Sequence, residues 1–187
     1  MRKLMWATAG IALTTNVVWA DNYTIDPEHT FPNFMISHVG FSTLHGRFNK
    51  SSGKLVMDIA KKTGSVEINI EAASIDTAHA KRDQHLKSPD FFNAGEFPNI
   101  TFKSTKVTFT GDKVTAVDGN LTIMKTTKPV TLAVTSMKCD VNPFNKKFAC
   151  GFDANTKIKR SDFGINYGLP AVGDEITLML EVEAIKD

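Results

Sequence analysis

Ser74-Ile-Asp-Thr-Ala-His-Ala-Lys-Arg-Asp-Gln-His-Leu-Lys-Ser-Pro-Asp-Phe-Phe92 is the one stretch of this chain with helix chemistry. Ala78, Ala80, Lys81, Arg82, Gln84 and Leu86 are good helix formers. Asp76 or Thr77 can cap the start, because a short side-chain oxygen accepts from the free amides of a first turn. Pro89 limits the end, since the residue before a proline is pushed out of the helical region. The expectation is a helix of about ten residues near 77–87. It is flanked by Ile75 and by the aromatic pair Phe91-Phe92.

The sequence around it reads as strand. Val66, Ile68 and Ile70 alternate with Ser65, Glu67, Asn69 and Glu71, so one face is apolar and the other wet. The same alternation places Phe34, Ile36 and His38 on one face of 31–39, and Leu44, Gly46 and Phe48 on one face of 41–48. Further strands run through Leu55–Ile59, Ile100–Phe109, Val130–Cys139, Phe148–Ile158 and Ile176–Ala184. Another carries Val114, Ala116, Leu121 and Ile123 inward, with Asp118-Gly119 as a candidate bulge. Gly, Pro, Asn and Asp turns separate the segments at short spacing. Sandwiches and closed barrels both give this pattern. Long strands, the absence of tryptophan beyond Trp19, and a single helix suited to lie over an open end favour the barrel. Eight strands enclose an interior that can hold one small ligand. No repeat or low-complexity linker divides the chain.

The first twenty residues form a different pattern. Arg2 and Lys3 are basic, Leu4 to Val18 is mostly apolar, and Val18-Trp19-Ala20 offers small residues before Asp21. That is a secretory signal with cleavage expected after Ala20, leaving 21–187 as one domain. The apolar run is too short and too interrupted to span a bilayer. Without Arg2 and Lys3, basic and acidic residues balance at 20 each. No basic stripe suggests nucleic acid, and nothing suggests stable insertion into a membrane.

Export to an oxidising compartment allows the two cysteines, Cys139 and Cys150, to pair. Pro143 and Asn145 mark a turn between them. A hairpin with loop 143–146 sets 142 against 147, and therefore 139 against 150, where cross-strand distances suit a disulfide.

Ionisable groups concentrate in the helix. His79 and Asp83 share one face, as do Arg82 and His85. A metal site at His79/Asp83 lacks a third ligand nearby and has Arg82 beside it, so no metal is expected. A solvated face, with Arg82 or Asp83 tying the helix to the rim, is the plain reading. Recognition of a ligand head group is the sharper one. His38 is either a hydrogen-bonded core histidine or a polar contact inside a cavity. Phe91 and Phe92 are core anchors or a lid. No serine elbow, P-loop or dinucleotide fingerprint is present.

Beyond these readings, several blocks resemble the YceI-like family. They are Tyr23-Thr24-Ile25-Asp26, His38-Val39-Gly40-Phe41, Ser74-Ile75-Asp76-Thr77, Arg82-Asp83 with His85-Leu86, Asp90-Phe91-Phe92, Thr127-Lys128-Pro129-Val130 and Arg160-Ser161-Asp162-Phe163-Gly164. The resemblance covers nearly all of 21–187. It implies a periplasmic, all-β, extended eight-stranded antiparallel lipocalin-like barrel with a short helix over its mouth. It implies a long apolar cavity for an isoprenoid or acyl lipid, such as a quinone, a polyprenyl phosphate or a fatty amide, and no cofactor. The expected tail-binding residues are Phe34, Ile36, Leu44, Ile68, Ile70, Phe102, Leu121, Ile123, Leu178 and Leu180. Phe91 and Phe92 are expected at the mouth, and His38 and Arg82 at the head group. The alternatives are a small hydrolase or isomerase using His38 or the His79/Asp83/His85 cluster, and a ligand-free interaction module filled by its own side chains. A homodimer stays open.

Overall fold

Each alternating segment becomes a strand, and the pairing joins them into a closed antiparallel barrel. The computed structural model describes residues 20–187, so the signal-peptide expectation for 1–20 falls almost wholly outside them. The strands are β1 Asp21–Ile25, β2 Phe31–His38, β3 Ser42–Phe48, β4 Ser51–Asp58, β5 Thr63–Glu71, β6 Ile75–Asp76, β7 Asn99–Thr110, β8 Lys113–Ile123, β9 Thr126–Val141, β10 Phe148–Lys159 and β11 Val172–Lys186. Among the described residues a single α-helix, α1, spans Ala80–Leu86.

Eleven strands make eight staves. β1 and β2 both pair with β11, Ile25 opposite Ala184 and Phe31 opposite Glu181, so they run end to end across the break at Pro27. β3 and β4 form the next stave, pairing with β2 and β1. β5 and β6 form the third, interrupted by a 3-10 turn at Ala72–Ser74. β7 to β11 follow in order, and the β1–β11 pairing closes the ring. β1 was not among the strands legible from alternation. Its five residues have only Tyr23 and Ile25 buried, too short a run to register as periodic.

The outer face is charged. Glu67 meets Lys103 across β5 and β7 at 3.6 Å, and Lys157 meets Glu175 across β10 and β11 at 2.7 Å. A barrel crossing a bilayer carries an apolar band there instead.

Two inward faces depart from simple alternation. The register shifts opposite Asp118-Gly119, but the extra residue is Thr105 on β7, not a residue of β8. A second shift at Thr115 reverses the parity of β8, so Val117 is buried where Ala116 was expected. Gly119 lies beneath the Phe102 ring, where a Cβ would come within 2.4 Å of Cζ. Gly46 lies beneath Phe34 in the same way, at 2.3 Å. Both glycines leave room for an aromatic ring to lie flat on the inner wall.

The helix starts later than expected. Ala78 adopts a left-handed φ of 58°, and its N–H donates to Asp76 Oδ1 at 2.8 Å. The residues expected to cap the helix are therefore spent in a turn. His79 is the cap, its Nδ1 accepting from the Arg82 N–H at 3.2 Å. Lys87 ends the helix, two residues before Pro89.

The two ends of the barrel differ. One is closed by the hairpins at 59–62, 111–112 and 142–147. There Cys139 and Cys150 face each other in the ladder and form the disulfide. The other carries the β2–β3 loop, α1 with the segment to 98, and the 160–171 connection.

Candidate functional site

The interior of the barrel is not filled by its own side chains. A cavity of about 430 Å³ runs along it, walled by residues from every stave. Many inward apolar side chains, among them Leu44, Ile68, Leu178 and Leu180, are only half-buried although they sit inside the barrel. Their remaining surface faces the cavity. All fourteen residues proposed from sequence lie on this wall: Phe34, Ile36, His38, Leu44, Ile68, Ile70, Arg82, Phe91, Phe92, Phe102, Leu121, Ile123, Leu178 and Leu180. Sequence reading left out Phe48, Ile75, Ile100, Arg160 and Tyr167, which share it, as does His85, named there only within the helix cluster. Phe48 joins the two aromatic groups, its ring 6.0 Å from Phe34 and 5.5 Å edge-on to Phe92.

The exposed members of the wall are His38, His85 and Tyr167, all at the end that carries α1. That end is the mouth. His38 sits at the last position of β2, paired with Val172 and Ser42. It is an exposed rim residue on the cavity wall, so the core-histidine reading does not hold and the reading as a polar contact of the cavity stays open. Alternation assigned its face correctly but not its height along the barrel.

Past the end of β6, beside β3, Thr77 organises the helix. Its N–H and hydroxyl donate to Asp83 Oδ1. Its hydroxyl oxygen accepts from Arg82 Nε at 2.7 Å, and its carbonyl from Arg82 Nη2 at 2.7 Å. Thr77 is buried, so α1 is held to the rim by both charged residues. Arg82 Nη1 has no protein partner among the described residues, and Arg82 faces the cavity. His79 is spent on the cap. His85 Nε2 pairs with Asp90 at 2.9 Å. Its ring stands edge-on to Phe91 and to Tyr167, each at 5.0 Å, and Phe91 meets Tyr167 at 5.3 Å. The His79/Asp83/His85 group is thus divided among three structural tasks rather than gathered on one point.

Arg160 builds the other side of the mouth. It is 5% exposed and donates to four backbone carbonyls. Nε reaches Gly173 at 2.8 Å, Nη1 reaches Ile165 at 3.0 Å and Tyr167 at 2.8 Å, and Nη2 reaches Val172 at 3.1 Å. Burial pulls its pKa down, and the Asp174 carboxylate opposes that. Asp174 accepts from the Ser161 N–H and hydroxyl at 2.9 and 2.8 Å, and these bonds hold its carboxyl below the usual range. One buried cation therefore fixes the loop that carries Tyr167. The available signal was parity: alternation puts Arg160 on the face of Ile158, opposite to Lys157 and Lys159.

Deeper polar groups of the wall are satisfied locally. Thr30 Oγ1 donates to the Glu183 carbonyl, and Asn33 Nδ2 to that of Phe31. Unspent polarity is concentrated at the mouth. Among the described residues, one trio of metal-ligating types comes within 4.8 Å, Asp26, His29 and Glu183. It lies off the cavity wall, and His29 Nδ1 already bonds to Asp26 at 2.9 Å. No helix among the described residues is long and apolar enough to cross a membrane.

Known proteins share this architecture. The YceI-like domain pattern matches residues 23–184. Protein YceI of Salmonella arizonae is 39% identical over 186 residues, which span 98% of this chain and 96% of its own. Burkholderia cenocepacia BcnA superposes with a TM-score of 0.73 at 26% identity, covering 85% of this chain and 98% of that one. A polyisoprenoid binding domain from Saccharophagus degradans superposes with a TM-score of 0.68 over 88% of this chain and 98% of its own, at 14% identity, a likeness of fold. With the domain pattern spanning the whole barrel and a relative this similar along its full length, the chain belongs to the YceI-like family.

Proposed function

We propose that this protein is a secreted, periplasmic binding protein for a long amphiphilic lipid, which it sequesters or carries without turning it over. One observation carries the reading: a continuous apolar cavity of about 430 Å³ with its free polar groups at one end. Ligand pockets of soluble proteins fall at ~300–1,000 Å³ and combine apolar walls with a few placed polar groups. The tail lies along Phe34, Ile68, Phe102, Leu121 and Leu178, and the head meets His38, Arg82 and the His85–Asp90 pair. Each methylene removed from water contributes about 0.8 kcal/mol before entropic costs, so a long chain binds tightly without any ionic contact. An isoprenoid tail agrees with the polyisoprenoid-binding description of the Saccharophagus degradans neighbour. An exported protein agrees with the leader pattern at 1–20 and with the disulfide.

The test is uptake of an isoprenoid quinone, a polyprenyl phosphate and a fatty amide by the protein and by Ile68→Arg. The substitution places a cation in mid-barrel and is expected to abolish uptake of all three. Undiminished uptake by a folded Ile68→Arg protein would contradict the cavity assignment.

A further inference from the structure

The cavity reading leaves a physical question at the mouth. A long lipid does not travel through water as a monomer, so it must enter from a membrane or be handed over. The structure bears on this where β2 turns into β3. Phe41 is 89% exposed and Val39 46% exposed, at the tip of that loop. The turn is tight, with the Phe41 N–H donating to the His38 carbonyl at 3.0 Å. Val39 adopts a φ of 55°, a region that branched residues rarely occupy. The chain accepts this conformation and leaves both side chains outside the core.

The loop does not stand alone. Val172 pairs with His38, which sets the 164–173 segment against it, and Tyr167 in that segment is 52% exposed. From Pro32 to Gly46, and again from Gly164 to Gly173, there is no Asp, Glu, Lys or Arg. The two stretches form an uncharged rim that is continuous with the cavity wall through His38, Val172 and Tyr167. The opposite end also exposes apolar side chains, Phe144 among them. There they stand among charges, with Lys138, Asp140, Lys146 and Lys147 in the same hairpin.

We propose that the rim formed by the β2–β3 loop and the 164–173 loop docks transiently on a lipid bilayer surface, with Phe41 and Val39 entering the interface, so that lipid passes between membrane and cavity without crossing water. The proposal rests on the lipid-binding reading of the cavity. Its occupant is a bilayer because the rim is uncharged, protrudes, and opens directly onto an apolar channel. Apolar side chains at the headgroup boundary bind in proportion to the area they bury, and a few such residues give reversible contact, not insertion.

The test uses the double variant Val39→Asn/Phe41→Ser. Neither residue lines the cavity, and asparagine tolerates the left-handed turn. Uptake of a long-chain ubiquinone is followed from two sources: vesicles of phosphatidylethanolamine and phosphatidylglycerol, and a soluble cyclodextrin complex. The expected result is vesicle uptake slowed about tenfold or more, with uptake from cyclodextrin unchanged. Phe144→Ser, at the other end, is expected to behave as the parent protein. Equal vesicle rates for the double variant and the parent would overturn the docking proposal. If the parent takes up ubiquinone from neither source, the cavity reading fails and vesicle co-sedimentation decides docking alone. Binding by the parent that the double variant loses supports it, and equal binding overturns it. A concentration-dependent dimer abolished by the double variant, with vesicle uptake unaffected, would assign the rim to a second copy of the chain and overturn the bilayer.

Discussion

The two ends of this barrel are built by opposite means. At the far end, short hairpins turn directly from strand to strand, a disulfide joins β9 to β10, and an ion pair links Lys62 to Asp112 across two hairpins. Short turns, one covalent bond and a surface ion pair hold that end together. At the mouth, two long connections, 77–98 and 160–171, are held by a few polar side chains reaching backbone atoms. Arg160 fixes one, and Thr77 with Asp83 and Arg82 fixes the other. The difference teaches where stability and access reside. The far end closes the barrel with parts that need no ligand. The mouth is ordered by hydrogen bonds that can be exchanged, and its free polar and aromatic groups surround the opening.

That contrast can be broken in stages. The largest effect is expected from Arg160→Met. It removes four hydrogen bonds at once and leaves the carbonyls of Ile165, Tyr167, Val172 and Gly173 without that donor. A loss on the order of 3 kcal/mol or more is expected in urea unfolding, since each hydrogen bond to a charged group is worth about 1.5–3 kcal/mol. Lipid affinity should fall with it. A variant as stable as the parent would show that the loop is not held by this cation.

Replacing both cysteines by alanine strikes the far end. Closing a short loop in the unfolded chain is worth about 2–3 kcal/mol on the chain-entropy account. Thermal unfolding should register that loss while lipid uptake stays unchanged. A change in uptake would mean that the ends are not independent.

The smallest effect concerns pH. Asp174 has its pKa lowered by the Ser161 N–H first and by the Ser161 hydroxyl second. A carboxyl depressed on folding contributes stability above its unfolded value near 3.8, and that contribution disappears as pH falls through the folded value. Acid should therefore loosen the 161–173 loop. NMR titration of the Asp174 carboxyl would show a midpoint below that of an unfolded peptide, and Asp174→Asn should remove the acid sensitivity of that loop. A midpoint at the peptide value would contradict the assignment.

Much of the barrel was legible because it depends on local rules. The alternation of Val66, Ile68 and Ile70 fixed their face, and hairpin arithmetic alone set Cys139 against Cys150. Phe91 and Phe92 were legible as anchors or lid beside the helix-forming stretch, and they pack against the core while lining the cavity, so the choice between the two stays open. What escaped depends on distance. The joining of β1 to β2, and of β3 to β4, into single staves is decided by partners far along the chain, Ala184 and Glu181 for the first of them. One inserted residue at Thr115 exchanges Ala116 for Val117 on the inner face, and no pattern in eleven residues announces it. His38 was assigned the right face, but its exposure follows from lying at the end of a stave. Arg160 stood in a block that resembles the family's, with no role assigned to it. Its burial is created by the 164–173 loop folding back over it.

The most direct test of the central claim is native mass spectrometry of the protein purified from the organism that makes it, followed by organic extraction of whatever it carries. The account expects a mass above that of the polypeptide, and one long isoprenoid or acyl species in the extract. A clean polypeptide mass, with no uptake after incubation with quinones and polyprenyl lipids, would contradict it and return the barrel to a role that needs no cargo.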